Sequence, residues 1–392
     1  MYYSRKIATQ VGKLQKGFPV IAITGPRQAG KTTFLQNHFP SYHYFNLENP
    51  QTRELISSDP QAFLKDNPKN IIIDEIQRIP ELFSYIQDHV DERQELGAII
   101  ISGSQNLLIS ENISQSLAGR VAYQAIFPFS LSELQKHHLM LSDYRAQILK
   151  GFYPVLYGRK IGATSYYAQY IATYVERDVR LIKNIQNLSQ FQKFIGLLAG
   201  RVGQVVNMAS LASDTGISPN TAEDWISILE ASYIAYRLQP YYKNTGKRLI
   251  KSPKIYFYDT GLLCSLLHIT SVRELAQHFG IGGIFENFII SECKKEISMN
   301  NVSTGVYFYR DNHGNEVDLV FDTGSALLPL EIKSSTTFSN NFFKGFDYWR
   351  RHVDKRSHGV VVFAGDTTQQ VGENELVSWR DFSRVIGKVL KK

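Results

Sequence analysis

Apolar residues come in short uninterrupted runs along the first third of the chain. Residues 19–24 (Pro-Val-Ile-Ala-Ile-Thr), 42–47, 70–75 and 98–104 are rich in β-branched or aromatic side chains, and a further run covers 121–126. Runs of this length predict buried strands. The segments between them read as helical, and strands alternating with helices predict a parallel sheet covered on both faces. From Tyr166 to about Tyr241 the spacing turns helical. Residues 206–212 predict a short amphipathic helix and 214–216 a turn, after which Ser218 is placed as N-cap and Pro219 as first residue of a helix reaching about Ala231. Strands at 233–238 and 254–258 follow, so the segment predicts a helix-turn-helix with a hairpin wing. Further on, 283–292 reads as an amphipathic helix. Residues 306–310 and 316–321 read as strands joined by a turn at 311–314, and 328–333 as one more strand.

Candidate chemistry sits at the ends of these strands. The run at 19–24 passes directly into Gly25, Pro26, Arg27, Gln28, Ala29, Gly30, Lys31 and Thr32, followed by Thr33. This fits the P-loop pattern G-x-x-x-x-G-K-[ST] in its expected strand–loop–helix setting. Gly25 and Gly30 permit the turns that aim backbone N–H groups at phosphates, and the helix N-terminus adds its dipole. Lys31 is expected to reach the β- and γ-phosphates of ATP, and Thr32 to ligate Mg²⁺. Asp74 emerges at the carboxyl end of 70–75, where it is expected to hold the same Mg²⁺ through water. Glu75 beside it is expected to orient and deprotonate the attacking water. A plainer reading makes the pair a polar strand end that caps the next helix. Arg120, just before 121–126, is a candidate to neutralise charge on the γ-phosphate, in cis or from a neighbouring subunit of an oligomer, and otherwise a surface residue.

A strand between the two motif strands, with a glutamate after Asp74, resembles the additional-strand, catalytic-glutamate group of P-loop ATPases. That resemblance implies a γ-phosphate sensor at the end of 98–104. Ser104 holds the place, with Gln105 as its substitute, unless Ser104 only caps a helix.

Composition narrows the setting. The 392 residues are 43% hydrophobic and 20% charged, as in a soluble globular protein of two or three domains. No apolar stretch nears the ~20 residues needed to span a bilayer, and residues 1–20 lack a signal-peptide core. Cys264 and Cys293 provide neither a disulfide framework nor zinc spacing. The expectation is a cytoplasmic protein with no membrane partner. Residues 1–150 carry 15 Lys and Arg against 14 Asp and Glu, and the remainder 28 against 22, so the mild basic excess lies away from the P-loop. Such an excess is where DNA would be met.

The chain resembles a large bacterial and archaeal family of AAA-type ATPases with a carboxyl-terminal domain of unknown function. The matching motifs are Gly25-Pro-Arg-Gln-Ala-Gly-Lys-Thr-Thr33, Ile71-Ile-Ile-Asp-Glu-Ile-Gln77, Leu117-Ala-Gly-Arg120, Tyr174-Val-Glu-Arg-Asp178, Ser252-Pro-Lys-Ile-Tyr-Phe-Tyr-Asp-Thr-Gly-Leu262, Phe285-Glu-Asn-Phe288 and Glu316-Val-Asp318. Gly151-Phe-Tyr-Pro154 departs from the expected pair of glycines. The resemblance implies an α/β fold. Its parts are an AAA-like P-loop NTPase domain (1–150), a helical and winged-helix-like domain (151–270) and a small restriction-endonuclease-like α/β domain (271–392).

In the winged-helix-like part, Lys243, Lys247, Arg248 and Lys251 occupy the wing loop as candidate phosphate contacts to DNA. The second helix opens with Asn220, Thr221, Glu223 and Asp224, whose acids disfavour DNA and leave a protein-contact or lid role open. In the last part, Glu286 on a helix, Asp318 on a strand and Glu331-x-Lys333 on the next resemble the PD-(D/E)XK nuclease arrangement. On a strand Glu331 and Lys333 share a face. Asp318 and Glu331 are candidate Mg²⁺ ligands and Lys333 a candidate to position water, the plain alternative being an ordinary charged strand face. Three functional readings follow. The first is an ATPase that switches its carboxyl-terminal domains against DNA or a protein partner. The others are an ATP-regulated metal-dependent nuclease and a non-catalytic nucleotide-gated interaction protein.

Overall fold

The computed structural model describes residues 2–103, 116–179, 185, 187–241, 252–300, 302 and 304–390. The first sheet comprises β1 (Val20–Thr24), β2 (His43–Asn46), β3 (Ile71–Asp74), β4 (Ile99–Ser102) and β5 (Val121–Ala125). All are parallel, in the order β2-β3-β4-β1-β5. Every residue of β1, β3 and β4 is buried, as parallel central strands covered on both faces must be. Val20, Ala22, Ile71, Ile73, Ile99 and Ile101 pack to one side, and Ile21, Ile23, Ile72 and Ile100 to the other. The strand separating β1 from β3 is β4. The run at 42–47, which lies between them in sequence, forms the edge strand β2, whose residues are exposed or half-buried.

In the middle segment, helices Leu188–Ala199, Met208–Thr215 and Pro219–Ala231 precede an antiparallel pair, β6 (Ala235–Leu238) and β7 (Lys254–Phe257). The helix predicted over 206–212 starts at Met208 because Asn207 caps it. It runs through most of the predicted turn to end on Gly216, which has a φ of 85°. Ser218 accepts from the backbone N–H of Thr221, with Pro219 at the first helical position.

The last part is a mixed sheet of β8 (Gly305–Arg310), β9 (Glu316–Asp322), β10 (Leu327–Lys333), β11 (Val360–Phe363), β12 (Gln369–Val371) and β13 (Asn374–Ser378), ordered β12-β13-β11-β10-β9-β8. The meander β8-β9-β10 is antiparallel, and β10, β11 and β13 are parallel. Helix Ile281–Asn300 precedes the meander and helix Lys344–His352 links β10 to β11. The first of these runs past the predicted 283–292 because the charges that make its second half look solvated are buried against the first domain. Glu292 accepts from the Leu131 N–H at 2.6 Å, Lys295 donates to the Phe129 carbonyl at 3.0 Å, and Glu296 pairs with Lys6 at 2.5 Å. One hydrophobic core runs from Phe127 to Val389 and joins the middle segment to the last sheet. Among the described residues no helix is long and apolar enough to cross a membrane.

Candidate functional site

β1 ends at Thr24 and the chain turns at once into the P-loop. Gly25 has a φ of 139°, and a Cβ there would lie 2.0 Å from the Ile126 carbonyl oxygen, so the turn admits only glycine. Gly30, with a φ of 93°, opens helix Lys31–His38. The Lys31 side chain is buried and donates to the carbonyls of Gly25 at 2.8 Å and Pro26 at 3.0 Å. Burial pushes its ammonium down to about 8, against the opposing pull of Glu75 and Asp74.

Asp74 is the best-anchored side chain of the site. Its Oδ2 accepts from Thr32 Oγ1 at 2.8 Å and from the Tyr44 hydroxyl at 2.5 Å, while Oδ1 accepts from the Glu75 N–H at 3.1 Å and from Ser102 Oγ. Burial and the bond to Asp74 raise the Tyr44 hydroxyl well above its usual value. Glu75 adopts a left-handed backbone (φ 58°, ψ 45°), and its Oε2 accepts from Gln77 Nε2 at 2.5 Å. A non-glycine residue held there costs on the order of 1–3 kcal/mol, and such strain clusters at functional sites. Tyr44 and Ser102 lie in none of the motifs, and Gln77 closes the 71–77 motif without a role assigned to it there. Only the register Asp74↔Ser102 between β3 and β4 reveals Ser102.

A cavity of about 690 Å³ opens at the P-loop, walled by Tyr2, Arg5 and Pro154 as well as Lys31, Thr32 and Glu75. That volume suits a nucleotide. A larger one, about 1210 Å³, opens around Ala326, Val360 and Val389, and no P-loop residue lines it.

Arg120 is not brought to this cavity. Its carbonyl accepts from the Val20 N–H at 3.2 Å, at the start of β1, and its guanidinium forms a fork on Asp91 at 2.5 and 2.7 Å. At about 3.3 Å per residue, β1 puts ~16 Å between that end and the P-loop. A role in cis therefore has no geometry behind it. Ser104 and Gln105 lie outside the described residues, as do Lys243, Lys247, Arg248 and Lys251. On helix Pro219–Ala231 Asn220, Glu223 and Asp224 are exposed, and Glu223 pairs with Arg237 at 2.8 Å.

Glu286, Asp318, Glu331 and Lys333 do converge. Lys333 lies 2.5 Å from Glu331 and 3.6 Å from Asp318, and Asp318 also accepts from the Ile332 N–H at 2.7 Å. Burial raises Glu331 to about 8 and Glu286 to about 7, with the Asp318 charge adding to both and Lys333 and Lys254 opposing. Glu286 accepts from the Tyr256 hydroxyl at 2.5 Å and pairs with Lys254 at 2.8 Å.

Residues 17–135 match the AAA domain family, 141–273 a domain of unknown function (DUF8612) and 281–382 another (DUF4143). The uncharacterized protein Rv2008c of Mycobacterium tuberculosis is 30% identical over 337 residues, covering 85% of this chain and 74% of that protein. The uncharacterized protein MJ1544 of Methanocaldococcus jannaschii is 22% identical over 357 residues, covering 83% of this chain and 77% of its own. Among solved structures, a Walker-type ATPase of Pyrococcus abyssi aligns over 68% of this chain and 96% of its own at 14% identity, with a TM-score of 0.44.

Proposed function

The chain belongs to the family of the mycobacterial protein Rv2008c and carries an AAA-type P-loop ATPase domain, and on that premise we propose that it hydrolyses ATP to switch its carboxyl-terminal parts against DNA or a protein partner. The observation that supports this most is the four-fold anchoring of Asp74 beside Thr32, with Glu75 lining the cavity. The paired oxygens of Thr32 and Asp74, 2.8 Å apart, are the hard donors Mg²⁺ prefers. Bound there, it would supply charge neutralisation to the phosphates. Lys31 exchanges the Gly25 and Pro26 carbonyls for β- and γ-phosphate oxygens. Glu75, oriented by Gln77, accepts a proton from the attacking water as its oxygen bonds to the γ-phosphorus. The bond from that phosphorus to the β–γ bridging oxygen breaks, and ADP leaves with that oxygen.

The switching role draws on contacts that the end of β1 and the P-loop make with the middle segment. Thr24 Oγ1 lies 2.7 Å from the Tyr233 hydroxyl, Tyr170 donates to the Arg27 carbonyl at 3.5 Å, and the Arg27 guanidinium sits 5.6 Å from the Tyr174 ring centre. ATP turnover with Mg²⁺ tests the proposal. Lys31→Ala should lower it at least ~100-fold, and equal rates would reject the assignment.

A second reading, an ATP-regulated nuclease, draws on the order helix, three-strand meander, helix, parallel strand and on the convergence of Glu286, Asp318, Glu331 and Lys333. It predicts nicking of supercoiled or branched DNA that requires both ATP and a divalent cation. Cleavage that survives Asp318→Ala and Glu331→Ala, or none at all, counts against it.

A further inference from the structure

Lys254 opens β7 in the middle segment, yet its side chain ends between carboxylates of the long helix Ile281–Asn300 and of β9. It is 1% exposed, with its ammonium 2.8 Å from Glu286 and 2.5 Å from Glu316, and 5.4 Å from the Phe308 ring centre. Its backbone is fixed in register opposite Leu238 and bridged to Val205, so the side chain has a firm base. Burying an ammonium costs several kcal/mol unless it is paired, and two carboxylates in contact plus the nearby Asp318 charge meet that requirement. On the other side of the cluster Lys333 stands between Glu331 and Asp318.

A divalent cation needs carboxylate oxygens turned inward to about 2.0–2.6 Å from one centre. Here the oxygens are turned to two ammonium groups instead, and the second oxygen of Glu316 to the Arg310 guanidinium at 3.1 Å. Among the described residues no group of three or more His, Cys, Asp or Glu is arranged to hold a metal ion. The carboxyl-terminal cluster, as folded, does not fit one.

We infer that Lys254 is the resident cation of this cluster, filling the place between Glu286 and Glu316 and closing the site to Mg²⁺ or Mn²⁺ while β7 stays docked. The inference bears on the nuclease reading but is read separately from it, because metal binding and DNA cleavage are distinct signals.

The test is Mn²⁺ binding to the full chain without nucleotide, followed by the electron paramagnetic resonance of free Mn²⁺. Wild type and Asp318→Asn should bind alike. Lys254→Met should gain about one additional Mn²⁺ per chain, lost again when Asp318→Asn is added. Lys254→Gln, which keeps every carboxylate of the cluster and leaves a neutral hydrogen-bonding side chain, supplies the same comparison where Lys254→Met does not fold. Wild-type Mn²⁺ that disappears in Asp318→Asn overturns the inference, as does a folded Lys254 variant that gains none. Supercoiled DNA is assayed alongside on the same variants with ATP added. Mn²⁺ gained without cleavage in that assay upholds the inference and counts against the nuclease reading.

Discussion

Asp74 accepts hydrogen bonds from three side chains and one backbone N–H, two on each oxygen, so its carboxylate has no freedom to turn. Groups that orient a metal-binding carboxylate from behind commonly contribute 10–100-fold in affinity or activity. Ser102→Ala should therefore raise the Mg²⁺ concentration needed for half-maximal ATP turnover by roughly that factor. An unchanged Mg²⁺ titration would remove Ser102 from the site. Thr32 and Asp74 are legible from motifs alone. Ser102 is not, because two serines end the same run (Ser102 and Ser104) and only the pairing of β3 with β4 selects one of them. Tyr44 is hidden for the same reason, its hydroxyl reaching Asp74 from a strand whose neighbour the sequence leaves open.

On the elements of the last sheet, alternation along β10 correctly puts Glu331 and Lys333 on one face, and they meet at 2.5 Å. Nothing in the local pattern tells that Lys254, the first residue of β7, crosses into this cluster, since the contact joins residues 32 and 62 positions apart. The crowding has a consequence for pH. Burial first, then Asp318, pushes Glu331 to about 8 in the folded chain, whereas an unfolded glutamate titrates near ~4.3. Between those values the unfolded chain releases a proton that the folded chain keeps. The group's stabilisation is complete below the lower value and is lost as pH rises through the upper one, by up to about 1.4 kcal/mol per pH unit. Glu331→Gln should flatten the fall of the urea midpoint between about pH 5 and 8. Parallel curves for the two proteins would contradict the raised value. The raised affinity of Lys333 for its proton acts only at higher pH, whereas Glu286, raised to about 7, titrates in the same window in both proteins.

At the scale of the whole molecule, Arg5 ties the parts together. Its guanidinium donates to the Ala29 carbonyl in the P-loop at 2.8 Å, to the Phe127 carbonyl at 2.5 Å and to Glu133 at 2.9 Å. Glu133 also completes the capping box of helix Leu131–Lys136, whose first N–H meets Glu292 on the long helix Ile281–Asn300. Breaking a buried ion pair on one side typically costs about 3–5 kcal/mol. Arg5→Ala should lose about that much stability in urea unfolding. An Arg5→Ala protein that unfolds like wild type would show that the tie carries no weight.

This connected frame gives the nucleotide site something to move, provided that ATP is turned over at Glu75. The most direct measurement is phosphate release from a single turnover of Mg²⁺–ATP by wild type and Glu75→Gln, with ATP affinity measured on the same samples. Glu75→Gln should bind ATP as wild type does while releasing phosphate ~10²–10⁴-fold more slowly. Phosphate release at the wild-type rate would contradict the account.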